Sequence, residues 1–185
     1  MPFEGQQILP AIRNMKDFDK MLSYSFRYGV FLDLHVGMLK SVFDYARSEG
    51  KEMFLHMDLI QGLSNDEHAT EFVCQTIKPF GIISTRGNVI KKARQLNVQA
   101  IQRTFVIDSN AMKRSIELIH RMDPDYIELL PGVVPKVIER MREETGKPII
   151  AGGLIDSPHE VESALSSGAS AITTSSKNLW DYFSR

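Results

Sequence analysis

The feature that most restricts this chain is a rhythm: short apolar runs alternate with amphipathic stretches along its whole length. Ile8–Ile12 is the first apolar run, and residues 29–36 (GVFLDLHV), 53–60, 80–84, 98–107, 125–130, 148–151 and 169–173 follow as strand-like segments. Between them the apolar spacing turns helical. Residues 38–48 carry it on Leu39, Val42, Phe43 and Ala46, and residues 87–96 on Val89, Ile90, Ala93 and Leu96. Ser109–Met122 carries it on Met112, Ile116, Ile119 and Met122, and residues 133–145 on Val134, Val137, Ile138 and Met141. Two Ser-x-x-Glu patterns, Ser64 to Glu67 and Ser157 to Glu160, predict capping boxes that open two further helices, and residues 178–183 close the chain as another. Eight strand-like segments thus alternate with helical stretches, seven of them delimited here, and the rhythm as a whole reads as eight strands and eight helices. Strands separated by helices run parallel with right-handed crossovers. Eight consecutive units favour a closed (β/α)8 TIM-type barrel over a doubly wound sheet. At 185 residues the unit is about 23 residues long, against a typical barrel of ~250 in all. The barrel is therefore compact, with short loops. No linker or low-complexity run interrupts residues 1–185, which read as a single domain.

Charge and cysteine content narrow the function classes. Twenty-two basic residues face 23 acidic ones, so coating nucleic acid through bulk charge is excluded and any such contact needs a local patch. A lone cysteine, Cys74, excludes an internal disulfide and fits a reducing compartment. No apolar stretch approaches the ~18 residues of a membrane span. No basic segment followed by an apolar one opens the chain, so a cytoplasmic protein without membrane contact is expected.

In a (β/α)8 barrel the site lies at the C-terminal ends of the strands, where alternate residues point inward. The strand ends here supply Asp33 and His35, His56 and Asp58, Arg103, and Glu128. These polar residues share the period-2 face opposite Leu34, Met57 and Leu129, which suit the helix-facing side. They read either as a ligand pocket or as a buried network in which Asp33, Arg103 and Glu128 neutralise one another. His35, His56, Asp58 and Glu128 are metal-ligand types, but no fixed ligand spacing joins them, and no metal is expected. His68, His120 and His159 fall on helices and face solvent, and Cys74 reads as a core or boundary residue of a helix, not a nucleophile.

The last two units carry the sharpest signal. Ile149-Ile150-Ala151 opens into Gly152-Gly153, and Ala171-Ile172-Thr173 opens into Thr174-Ser175-Ser176 before a short helix. A phosphate needs several N–H and O–H donors converging on one spot, and glycines let the backbone approach it. Barrels often place phosphates on these two loops. Gly152, Gly153, Thr174, Ser175 and Ser176 are therefore the candidate phosphate ligands. Separately, Lys91, Lys92 and Arg94 cluster on one predicted helix, and Lys113 and Arg114 on the next. Such groups form either an ordinary solvated face or, on adjacent helices, an RNA-facing patch.

With these residues in view, the chain resembles the glycerol uptake operon antiterminator regulatory proteins of Gram-positive bacteria. The resemblance runs essentially end to end. It is carried by His56-Met57-Asp58-Leu59-Ile60-Gln61-Gly62-Leu63, Gly81-Ile82-Ile83-Ser84-Thr85 and Gln102-Arg103-Thr104-Phe105. Further on come Asp125-Tyr126-Ile127-Glu128-Leu129-Leu130-Pro131-Gly132, Ile150-Ala151-Gly152-Gly153-Leu154-Ile155 and Thr173-Thr174-Ser175. The resemblance implies a regulator that senses glycerol 3-phosphate and acts on leader mRNA so that transcription passes a terminator. It implies no cofactor, with glycerol 3-phosphate as an effector, and leaves homo-oligomers open. On this reading His35, Asp58, Arg103 and Glu128 meet the glycerol hydroxyls or shape the pocket, and Lys91, Lys92, Arg94, Lys113 and Arg114 contact RNA. The alternative is a phosphate-binding barrel enzyme, a phosphosugar isomerase, epimerase or lyase, with Asp58 or Glu128 as base and His35 or His56 as partner. Against it, no strand segment places a lysine at its C-terminal end. A third reading is a barrel that binds a phosphate metabolite and regulates through protein contacts alone.

Overall fold

The computed structural model describes residues 2–184; Met1 and Arg185 lie outside them. Eight parallel strands close on themselves in sequence order, β1 beside β8. They are β1 Ile8–Ile12, β2 Tyr28–Phe31, β3 Glu52–His56, β4 Gly81–Ser84, β5 Gln99–Phe105, β6 Tyr126–Leu130, β7 Ile149–Gly152 and β8 Ala169–Thr174. The helices are α1 Met15–Leu22, α2 Leu39–Ser48, α3 Glu67–Phe72 (continued by a π turn, Val73–Ile77), α4 Gly87–Gln95, α5 Ser109–Met122, α6 Pro135–Thr145, α7 Pro158–Ser166 and α8 Lys177–Phe183. The compact (β/α)8 TIM-type barrel predicted from the alternation is the fold observed.

Each strand splits its side chains between two cores. Ile8, Ile12, Phe31, Leu55, Ile82 and Leu129 face outward and pack beneath the helices with Phe18, Phe43 and Trp180. Leu9, Ala11, Val30, Phe54, Ile101 and Ile150 face inward and fill the barrel. At its lower end a 3-10 turn, Pro2–Gly5, inserts Phe3, whose ring meets Phe54, Tyr28 and Tyr126 with centroids 6.0, 5.7 and 4.9 Å away. The bottom is thus plugged with aromatic rings, and the open end is the one where the strands finish.

Three local differences from the sequence pattern matter for that end. β2 stops at Phe31 and β3 at His56, five and four residues short of the extended runs read from sequence, and the chain turns through 3-10 turns at Val36–Met38 and Met57–Leu59. Asp33, His35 and Asp58 therefore leave the strands, and period-2 facing does not govern them. The Ser64 capping box does not form. Asp66 caps α3 instead, its carboxylate accepting the Ala69 N–H at 2.8 Å, because the helix starts at Glu67. The Ser157–Glu160 box forms as predicted, with the Ser157 N–H reaching Glu160 Oε2 at 3.1 Å.

Candidate functional site

A cavity of about 440 Å³ opens at the C-terminal ends of the strands. Ala11, Val30, Leu32 and Leu130 supply apolar wall, and Arg13, Arg103, Glu128, Thr173, Thr174, Ser175, Ser176, Gly153 and Asp156 supply the polar groups. The volume falls within the range of small-molecule sites.

Its floor is an ion pair. Arg103 and Glu128 are register partners on β5 and β6. Arg103 Nε donates to Glu128 Oε2 at 2.6 Å and Nη2 to Oε1 at 3.2 Å. The Thr173 hydroxyl donates to Glu128 Oε1 at 2.7 Å. Glu128 is only 1% exposed, so its charge has left water and needs these three donors. A guanidinium carries five N–H groups. Two of Arg103's are used on Glu128, and the side chain borders the cavity with the rest. The floor thus offers a donor beside an acceptor.

The phosphate-loop candidates gather on one flank. β7 ends at Gly152, and Gly153 and Leu154 follow with φ of 74° and 62°, two successive left-handed residues that carry the loop over the cavity. Gly152 does not itself border the cavity. A Cβ there would lie 2.5 Å from Thr173 Oγ1 and 3.3 Å from Glu128 Oε1, so its bareness makes room for the Thr173–Glu128 bond. Across from it, the Thr174 carbonyl accepts the Trp180 indole N–H at 2.9 Å and the Thr174 hydroxyl accepts the Ser176 N–H at 3.1 Å. Fully buried Trp180 therefore anchors this loop from below, while Ser175 is exposed.

Arg13, just past β1, completes the rim and holds Asp33 at 2.9 Å. Strand-end reasoning overlooked it, although it stands at the same level as the residues that were read. Asp33 is thus the partner of Arg13 and takes no part in the Arg103–Glu128 pair.

His35 and Asp58 are corrected in place. Neither borders the cavity. His35 is exposed, and its Nδ1 accepts the Gly37 N–H at 3.0 Å, capping the turn after β2. Asp58 braces the tops of β3 and β4. It accepts the Ser84 hydroxyl at 2.5 Å, the Thr85 N–H and hydroxyl at 2.7 Å each, and Asn65 Nδ2 at 2.8 Å. Burial pushes its carboxyl up, but these hydrogen bonds outweigh burial and hold it below the usual carboxylate range. His56 lies inside the barrel, 2% exposed, with no hydrogen-bond partner on either ring nitrogen among the described residues. Burial, with the Arg103 charge, depresses its basicity and keeps the ring neutral. Among the described residues no three His, Cys, Asp or Glu side chains gather as metal ligands.

The predicted basic patch is partly consumed. α4 and α5 pack side by side, as the patch requires. But Lys92 Nζ is 2.8 Å from Glu71 on α3, and Arg94 is shared between Asp125 and Asp123 beyond α5. Lys91, Lys113 and Arg114 are exposed. The two paired cations are corrected to structural clamps, because carboxylates that sequence distance separates from them become neighbours in the fold. Among the described residues no helix is long and apolar enough to cross a membrane.

Residues 8–180 match the family described as glycerol-3-phosphate responsive antiterminator. The fold superposes on the crystal structure of a glycerol uptake operon antiterminator regulatory protein from Listeria monocytogenes, with a TM-score of 0.95, 48% identity and 98% of each chain covered. A glycerol uptake operon antiterminator-related protein from Thermotoga maritima matches with a TM-score of 0.85 and 32% identity over 95% of this chain and 98% of that one. YgcP, an uncharacterized protein of Escherichia coli, is 34% identical over 72% of this chain and 70% of its own length. A deoxyribose phosphate aldolase from Aeropyrum pernix shares the fold alone, with 14% identity, a TM-score of 0.70 and 93% and 86% of the two chains covered. The match over nearly the whole barrel, together with the two relatives above 30% identity that cover almost all of it, places this chain in the glycerol-3-phosphate responsive antiterminator family.

Proposed function

We propose that this chain is an antiterminator that takes glycerol 3-phosphate in the cavity above the Arg103–Glu128 pair and then acts on the leader RNA of a glycerol-uptake operon. The observation that carries the ligand half is the two-sided chemistry of the cavity. One flank has glycine-opened backbone and hydroxyls, at Gly153, Ser175 and Ser176, with Arg13 on the rim. The floor has a guanidinium beside a carboxylate. A phosphate monoester wants the first, and vicinal hydroxyls, each both donor and acceptor, want the second. Family membership supports the regulatory half. For a response, the ligand must bind the RNA-competent state better than the other.

The buried carboxylate favours a second reading, turnover of a phosphate ester. Against it, both oxygens of Glu128 already accept hydrogen bonds from Arg103 and Thr173. No lysine is among the described residues that line the cavity.

A thermal-shift titration tests the ligand half, with glycerol and inorganic phosphate as controls. Ligand at ~100 times its dissociation constant adds roughly 2.7 kcal/mol. For a chain of this size that raises the melting temperature by about 5–10 °C. No shift at millimolar glycerol 3-phosphate sinks the proposal. Filter retention of the leader transcript with and without the ester tests the RNA half.

A further inference from the structure

A second depression, about 470 Å³, lies between the upper ends of α5 and α6 and shares no residue with the ligand cavity. Its walls are Val106, Ile107, Met112, Val134 and Val137, and its lip carries Lys136 and Arg140. Ile107 is 82% exposed and Phe105, two residues before it, is 53% exposed, unusual for large apolar side chains in a chain that buries most of the others. The carboxylate on the groove, Asp108, is committed to the N-terminus of α5, where it accepts the Ala111 N–H at 2.7 Å. Lys136 makes no ion pair among the described residues, while Arg140 is steadied by Glu144 through Nε at 3.1 Å.

We infer that this groove is where the barrel holds single-stranded RNA, a nucleobase entering against Ile107 and Val137 with its flanking phosphates on Lys136 and Arg140. The inference rests on the RNA half of the function proposed above. Apolar walls beside Lys136, which makes no ion pair among the described residues, and Arg140, whose Nη groups are not used on Glu144, match an unstacked base on its charged backbone, because apolar and phosphate contacts are supplied together. A second copy of this chain fits less well, since a two-fold axis centred on the groove brings Lys136 and Arg140 near their own counterparts. The groove also touches the ligand cavity through one strand pair. Phe105 is the register partner of Leu130, and the Val106 N–H donates to the Leu130 carbonyl at 2.9 Å. Leu130 lines the cavity and Val106 lines the groove, so a ligand that shifts the end of β6 moves both.

The test is fluorescence anisotropy with the labelled leader transcript of the glycerol-uptake operon, with and without glycerol 3-phosphate, across a salt series. Ile107→Ser, Lys136→Gln and Lys91→Gln are compared, with circular dichroism and sedimentation on each. Ile107→Ser is expected to weaken binding about tenfold, the loss of one buried apolar contact to a base. Lys136→Gln is expected to weaken binding and lower the salt slope by about 0.7, one single-strand phosphate contact. Lys91→Gln probes the rival α4 face: a loss of affinity there with none at Ile107 and Lys136 overturns the groove. Wild-type protein that binds while Ile107→Ser and Lys136→Gln bind equally well overturns the groove and leaves the RNA reading standing. Wild-type protein that binds no leader transcript in either condition overturns that reading and the groove with it. Groove variants that turn an oligomer into a monomer and keep full RNA affinity make this a self-association face and overturn the inference. Ultraviolet crosslinking supplies an independent readout: a crosslinked peptide containing Phe105 supports the groove, and one confined to α4 overturns it.

Discussion

Arg103 and Glu128 are register partners on neighbouring strands, and the guanidinium grips a carboxylate that is 1% exposed through bonds of 2.6 and 3.2 Å. The pair is the floor of the ligand cavity, so its removal separates stability from binding. Glu128→Gln keeps the shape but strips Arg103 of its counter-charge. We expect a loss of about 3 kcal/mol, the low end for a broken buried pair because Arg103 borders an open cavity. Adding Arg103→Met should return part of that loss. Thermal unfolding of the two variants checks this, and a double variant less stable than Glu128→Gln alone would contradict the account.

Asp58 gives a pH prediction. Its native carboxyl sits below the ordinary value, so it contributes stability above the unfolded carboxylate range, and that contribution fades as pH falls through the lowered native value. Asp58→Asn should cost about 2–3 kcal/mol at neutral pH, where four donors lose an anionic acceptor. The difference between wild type and variant should shrink below about pH 4. Urea unfolding across pH 3 to 7 reads this out, and a constant difference would assign the loss to packing.

Gly152→Ala should push Thr173 off Glu128, since the new Cβ meets Thr173 Oγ1 at 2.5 Å. We expect a cost of about 1–3 kcal/mol, as for other overpacked sites. The ligand-induced thermal shift should fall as well, because the cavity floor is disturbed. A full shift would show that the floor does not touch the ligand.

Ser175→Asp tests the phosphate flank without touching the core. Ser175 is exposed, so basal stability should change by no more than about 0.5 kcal/mol. A carboxylate there repels a phosphate, and the shift with glycerol 3-phosphate should be lost. Retention of the shift would place the phosphate elsewhere.

The Cys74 thiol is pushed up to about 11 by burial. Little thiolate exists at pH 8, so the native protein should react slowly with a disulfide reagent and rapidly once unfolded. Rapid labelling of folded protein would mean that α3 and its π-turn continuation open readily.

The outline of this fold was legible in the sequence because its signals are local. Apolar runs of four to ten residues between helix-period stretches specify β-α units wherever they occur, and eight in succession close as a barrel. Seven helices could be delimited this way. α1 could not, although Asn14 caps it through its side chain and Phe18 and Met21 are buried beneath it. The hydroxyl loop after β8, the glycine turn after β7 and the two members of the floor pair were equally legible, since each follows from residue type at a strand end.

What sequence alone determined, then, is the number of units, the facing of residues within extended strands, and the residue types offered at the open end. Tertiary structure decided which of those residues meet. Period-2 facing holds only while the backbone stays extended, and the 3-10 turns after β2 and β3 end it early, sending His35 to cap a turn and Asp58 to staple β4. Ion pairing depends on closure, not on sequence distance. Arg94 meets Asp123 29 positions away, Arg103 meets Glu128 25 positions away, and Lys92 meets Glu71 on a different helix. These long-range partners exist only once the barrel has closed, so the neutralised Lys92 and Arg94 of α4 could not be told beforehand from Lys136 of the α5–α6 groove, which makes no ion pair among the described residues.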